Sequence, residues 1–321
     1  MPIINAVYVA YGVPAVVAYG LILKAVFRLR KKLSRSFVVL FIITALVNVA
    51  TYINSWFVLR LRSEPFFFFY YDWVMLPMWA WWRSLQIFLA AYFYYAQNTC
   101  ALLLTANRFS AVCLPTYHTK VWERFHWHII SAVHGFALII CCSTRFPLDS
   151  YYSFSQIANS YIINSVTYTL RSTIAQAIYG AVLLCVCFVA NAISLYRLIC
   201  FNQTAQQRKE ISFFIISFCV FIAQATNIAA VVCNFYFVLQ SDQSGLSFIA
   251  FVTPFASDAF SLGPALYTLL VRGPIKNEAI RTVRRGLGLE VEPSSTATAA
   301  TVVVSGTSRR SPPSGTSTTR F

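Results

Sequence analysis

The chain is predicted to fold as an all-α, seven-transmembrane helix bundle with an extracellular N-terminus. Three observations predict it: seven long apolar stretches joined by short polar segments, a shortage of charge, and positive charge gathered on one set of the joins. Of 321 residues, 58% are apolar and 11% charged, with a mean hydropathy of +0.63. A soluble domain carries roughly 25% charged residues, so lipid has to be the solvent for much of this surface. Twenty-five Lys and Arg against ten Asp and Glu leave a net charge of +15. That excess fits nucleic-acid binding or loops facing an anionic inner leaflet. The apolar runs favour anionic lipid headgroups, and no nucleic-acid partner is expected.

A bilayer crossing needs roughly 20 mostly apolar residues, which places spans at 5–27, 37–59, 84–106, 127–146, 173–199, 211–238 and 247–271. The first charge is Lys24, too late for the basic start of a cleavable signal, so the first stretch reads as a retained helix. The last span stops at Arg272-Gly273-Pro274. Lys24, Arg28, Arg30, Lys31, Lys32 and Arg35 crowd the first join; Arg108, Lys120 and Arg124 the third; Arg197, Arg208 and Lys209 the fifth. The tail adds Arg272, Lys276, Arg281, Arg284, Arg285 and three later arginines. The other joins hold only Arg60, Arg62, Arg83, Arg145 and Arg171. The positive-inside rule then puts the tail in the cytoplasm, and two opposite ends require an odd number of spans. Between 60 and 83, Phe66 to Tyr71 and the tryptophans 73, 79, 81 and 82 fit an interfacial aromatic belt.

The chain divides into a bundle (1–271), an amphipathic juxtamembrane helix (272–290) and a disordered Ser/Thr-rich cytoplasmic tail (291–321). In the second, Ile275, Ala279, Ile280, Val283 and Leu287 recur at helical spacing with arginines between them, as in a helix lying on a leaflet. The third is Ser, Thr, Ala, Gly and Pro, too polar to bury a core. The sequon Asn202-Gln203-Thr204 falls on the cytoplasmic side, so no glycan is expected there.

Ionisable groups at membrane depth are expensive and therefore functional candidates. Asp258 in the last span is the clearest; it needs a partner, water or a shifted pKa. Stabilising one of two helix packings and making a local packing hydrogen bond are equally good readings. Asn48, Asn98, Asn191, Gln224 and Asn227 form either one interior network or several separate pairs. Pro264, three residues before Tyr267, frees a carbonyl and is expected to bend its helix. Gly180-Ala181 in span five is a weak signal for packing against a neighbouring chain.

No catalytic motif or phosphate loop is present, and no carboxylate pair lies within the spans. The histidines (118, 126, 128, 134) lack thiolate or carboxylate company. The chain is therefore read as no enzyme, without metal or cofactor. Ion-coupled transport lacks its usual charged relay.

Span three ends Leu-Thr-Ala-Asn107-Arg108-Phe109-Ser110, with Pro115 following and Trp122 in the next loop. This resembles the nematode serpentine chemoreceptors, most closely the Srg class, which carry an Asn-Arg-Phe or Asn-Arg-Met step, a later Pro and a loop Trp. Pro254 to Asp258 followed by Ser261-Leu262-Gly263-Pro264 resembles the last span of that class. The topology match covers roughly 1–290; the motifs are local.

The resemblance implies a G-protein-coupled receptor architecture. Arg108 would correspond to the arginine at the base of span three in rhodopsin-like receptors, and Pro264-Ala265-Leu266-Tyr267 to their Pro-x-x-Tyr. Asn107, Arg108, Phe109, Pro264 and Tyr267 are then the switch and coupling candidates; Asp258, Asn48 and Asn227 are the intramembrane polar ones. Departures accompany these matches. Asn107 stands where an acid is common and Gly263 where Asn is, and no cysteine lies at the outer start of span three or in 147–170.

The implied function is a chemosensory receptor in the plasma membrane, with sensory cilia of chemosensory neurons as the implied site. It would bind an extracellular small molecule or peptide, with Tyr92, Phe93, Tyr94 and Tyr95 as candidate contacts, and act on a heterotrimeric G protein, as a monomer or a receptor dimer. The alternatives are a transporter or channel subunit, with Asp258 lining its path, and an accessory membrane protein without G-protein coupling.

Overall fold

The computed structural model describes residues 2–145, 150–156, 160–165, 169–200, 205–271, 273–287 and 289. The tail from 291 onward and the sequon at Asn202 lie outside the described residues. The helices are α1 (Pro2–Arg28), α2 (Arg35–Ser55), a short α3 (Phe68–Met75), α4 (Ala80–Cys113), α5 (Pro115–Arg145), α6 (Thr169–Cys200), α7 (Ala205–Gln240), α8 (Gln243–Leu270) and α9 (Pro274–Gly286). All but α3 and α9 belong to segments long and apolar enough to cross a membrane, seven among the described residues. The chain is a multi-span membrane protein. Along α6, Ile178, Val182, Val186, Val189, Ile193 and Tyr196 form an exposed apolar stripe, a liability in water and a lipid-facing surface in a bilayer.

The bundle has two distinct ends. At the basic end α1 finishes at Arg28 and α2 starts behind Ser34, whose hydroxyl accepts from the Phe37 N–H at 3.4 Å. There α9 packs back on the bundle: Ile275 and Ala279 are buried in the cluster that holds Ala25, Val26, Phe37 and Phe213. The apolar positions of the predicted juxtamembrane helix therefore split. Ile275 and Ala279 face protein, whereas Ile280, Val283 and Leu287 are exposed beside Arg281 and Arg284.

Helix α5 begins well before its predicted apolar span. Only Leu114 separates it from α4, because Pro115 at the first helical position is pre-set for a new helix. Trp122, expected in a loop, is buried within α5 and donates from Nε1 to Ser110 Oγ at 2.7 Å.

The opposite end carries a lid that departs from the all-α reading. Strands β1 (Ser150–Ser155) and β2 (Ser160–Ser165) pair antiparallel, with Tyr152 opposite Ile163 and Phe154 opposite Tyr161. Alternation puts these four on one face. That face rests on α3: Tyr71 packs against Tyr152 and Tyr161, and Phe68 against Phe154 and Tyr161, all within 5.5 Å between ring centres. Tyr161 also donates its hydroxyl to Asp72.

The end of α2 is irregular. Trp56–Arg60 forms a π-helical turn, followed by a tighter turn at Leu61–Ser63. A π turn inserts an extra residue and rotates the side chains beyond it about the helix axis, and such turns often occur at functional sites. Here it turns Arg60 into the bundle, where 3% of the residue is exposed.

Candidate functional site

At the basic end, Arg108 stands one turn before the end of α4. Its guanidinium lies between two aromatic faces, 4.3 Å from the ring centre of Phe37 on α2 and 4.7 Å from that of Phe213 on α7. Cation–π attraction of this kind strengthens as water is excluded, and only 7% of Arg108 is exposed. Its Nη2 donates to Asn107 Oδ1 at 3.2 Å, and Asn107 Nδ2 donates in turn to Ser36 Oγ at 3.2 Å. A neutral amide thus supports the arginine where an acid is common. Phe109 is half-buried beside this pair.

Arg108 forms part of the wall of a cavity of about 790 Å³ at this end, together with Lys32, His118, Arg197 and Phe213. The named polar lining is basic. Beside it, a smaller apolar void of about 30 Å³ is bounded by both Arg108 and Pro264, so two of the predicted switch residues meet around one space. Tyr267 does not line it. Its ring folds over Gly263, where a Cβ would come within 2.7 Å, and packs beside Ala101, Val220, Ala223 and Phe260. Gly263 supplies the space that this ring occupies.

Helix α8 runs through both Pro254 and Pro264 without a break. Side chains from other helices hold the turn just before Pro264. Tyr19 Oη donates to Ser261 O at 2.6 Å, and Asn48 Nδ2 donates to Tyr19 Oη at 2.9 Å. Gln97 Nε2 donates to Asn48 Oδ1 at 3.0 Å and to Ser261 Oγ at 2.8 Å. Four helices meet in this network. The interior amides do not form a single set: Asn98 accepts from Gln224 at 3.0 Å on the other side of α4. Asn227 is buried one turn beyond Gln224, and Asn191 is buried on α6.

Asp258 has the partner that its depth requires. Its two oxygens take hydrogen bonds from Arg60 Nη2 and Tyr11 Oη, giving an ion pair whose side chains are 0% and 3% exposed. Sequence reasoning counted Arg60 among the topology charges and missed this role. The available signal was its position, one residue past the predicted second span. The candidate aromatics on α4 are packed: Tyr95 is buried edge-on against Tyr179, and Tyr94 donates to Gln176 O at 3.1 Å. Gly180 packs inside the chain, with Tyr94 and Ile228 within 3.0 Å of where its Cβ would be, while Ala181 beside it is exposed.

Seven membrane-crossing helices around a polar interior, with an arginine clamped over a basic cavity, define a multi-span helical membrane protein of receptor-like layout. More specifically, the chain belongs to the Srg family of chemoreceptors, whose family model matches residues 5–278. It is similar to Serpentine receptor class gamma-2 of Caenorhabditis elegans, 24% identical over 263 residues, covering 79% of this chain and 76% of that protein. It is also similar to Serpentine receptor class gamma-69 of the same organism, 24% identical over 291 residues, covering 87% and 82%.

Proposed function

We propose that this chemoreceptor binds a small extracellular ligand and activates a heterotrimeric G protein from the plasma membrane. In this reading the N-terminus and the hairpin lid face outward and the basic end faces the cytoplasm, as the charge asymmetry supports. The observation that carries it is Arg108, held by Phe37 and Phe213 at the wall of the basic cavity. The clamp draws on α2, α4 and α7, so a shift of α7 relative to α2 opens it and releases a long cationic side chain toward a partner. A basic cavity suits an acidic or carboxylate-ended partner segment. The Asn48–Tyr19–Gln97–Ser261 network ties α8 to the same core and supplies a mechanical link between the two ends.

The test is nucleotide exchange on a panel of Gα subunits by the purified chain in lipid, with candidate odorants added. Exchange that rises with one compound and is lost in Arg108→Ala, with folding intact, is the expected result. Absence of exchange for every subunit and compound, or an unchanged response in Arg108→Ala, would overturn the coupling role.

A further inference from the structure

We propose that the Arg60 pocket is a binding site for a small organic cation, an alkylguanidinium or alkylammonium, which the receptor's own Arg60 occupies until the ligand displaces it. This rests on the ligand-binding reading above and gives that ligand a charge and a position.

The pocket has the chemistry of a cation receptor. The Arg60 guanidinium carbon lies 4.8 Å from the ring centre of Tyr8, 5.4 Å from Tyr52 and 5.2 Å from Trp56. Three aromatic faces around one charge are the arrangement that recognises organic cations. Asp258 closes the pocket as counter-ion and is held by Tyr11. Ser55 Oγ adds an acceptor for Arg60 Nη1. The fit is incomplete, since the buried Nε–H of Arg60 has no hydrogen-bond partner among the described residues. A ligand that left no such group unpaired would hold the pocket better than Arg60 does.

The two charges differ in their freedom to leave. Asp258 is on a short stem inside α8, at least a dozen residues from either helix end. Arg60 is on a long stem in the last π turn of its span, followed by a tighter turn, and such a side chain can swing along its stem to water. An incoming cation therefore exchanges one cation for another and leaves no charge bare. An incoming anion would strand Asp258 in the interior, at a large cost. Leu61, the next residue, packs with Tyr71 and Tyr152 under the lid, so movement of Arg60 also disturbs the lid.

The test uses the full chain in lipid nanodiscs and ethylguanidinium or tetramethylammonium as the probe. Arg60→Ala should unfold at lower temperature than wild type, and millimolar probe should restore it saturably. Sodium chloride at equal ionic strength should have no such effect, and the probe should do nothing for Arg60→Ala combined with Asp258→Asn. A second measurement needs no variant. In wild type, phenylglyoxal should spare Arg60 while modifying exposed arginines, and tetramethylammonium, which has no guanidinium to consume the reagent, should make Arg60 reactive. No saturable rescue in folded Arg60→Ala, or no probe-dependent reactivity of Arg60 in wild type, would overturn the proposal. Cation binding without nucleotide exchange would uphold the site and count against G-protein coupling. Exchange driven only by neutral or anionic compounds, with the pocket indifferent to cations, would do the reverse.

Discussion

The guanidinium of Arg60 and the carboxylate of Asp258 lie 198 positions apart in the chain and meet as a fully buried ion pair joining the end of α2 to the middle of α8. Removing one partner from such a pair leaves an uncompensated charge and typically costs about 3–5 kcal/mol, whereas replacing both with apolar residues is often close to neutral. Asp258→Ala is therefore expected to destabilise the fold by about that amount, and Arg60→Met with Asp258→Leu by much less. Denaturant unfolding in micelles checks this; equal losses for the single and double variants would show that the pair is not the unit of stability.

Gly180 and Gly135 make a matched comparison. A side chain at 180 would strike Tyr94 and Ile228, while a Cβ at 135 would meet nothing within 4 Å. Gly180→Val should cost about 1–3 kcal/mol by overpacking, and Gly135→Ala should be neutral or slightly stabilising. Thermal unfolding of the two variants side by side decides it.

The lid should respond to strong alkali. Burial first, then the hydrogen bond and charge of Asp72, push the Tyr161 phenol up to about 12. The folded state therefore holds this proton more tightly than the unfolded chain does. The stabilisation is fully present below pH about 10 and is lost as pH rises through about 12. The tyrosinate absorbance of wild type minus that of Tyr161→Phe should titrate near the upper value. A midpoint near 10 would mean that the hairpin does not shelter this residue.

The contact of α9 with α1 should depend on burial and little on charge. Arg28 and Glu278 lie 3.5 Å apart, with the arginine side chain 37% exposed. Glu278→Gln is expected to cost under about 1 kcal/mol, as exposed pairs do. Ile275 is 2% exposed, so Ile275→Ala should cost about 2–4 kcal/mol. The two unfolding midpoints give the ranking directly.

Asn107→Asp supplies the acid that this chain lacks beside Arg108. The charged partner strengthens that hydrogen bond by roughly 1 kcal/mol, while Ser36 can turn its hydroxyl to donate. Under the proposed coupling, basal nucleotide exchange should fall roughly 5-fold, and raised exchange would count against Arg108 as the switch.

The seven crossings and the asymmetry of charge were legible in the sequence because each depends on local composition: lipid imposes a length and an apolar content on every span. The Asn107-Arg108 step and the Pro264 region were legible as short contiguous motifs, and they carried the family resemblance. Other features were decided only when distant segments met. Arg60 was read as a loop charge because the π turn that aims it inward leaves no mark in hydropathy. The hairpin at Ser150–Ser165 was missed although its two strands are short serine-flanked runs rich in aromatic and β-branched residues. Its register and its seat on Tyr71 depend on contact with α3. The interior amides announced only that they would need partners. Adjacent residues Gln97 and Asn98 serve two separate networks because successive helix positions point about 100° apart, so their partners were determined by the packing of α2, α7 and α8 around α4.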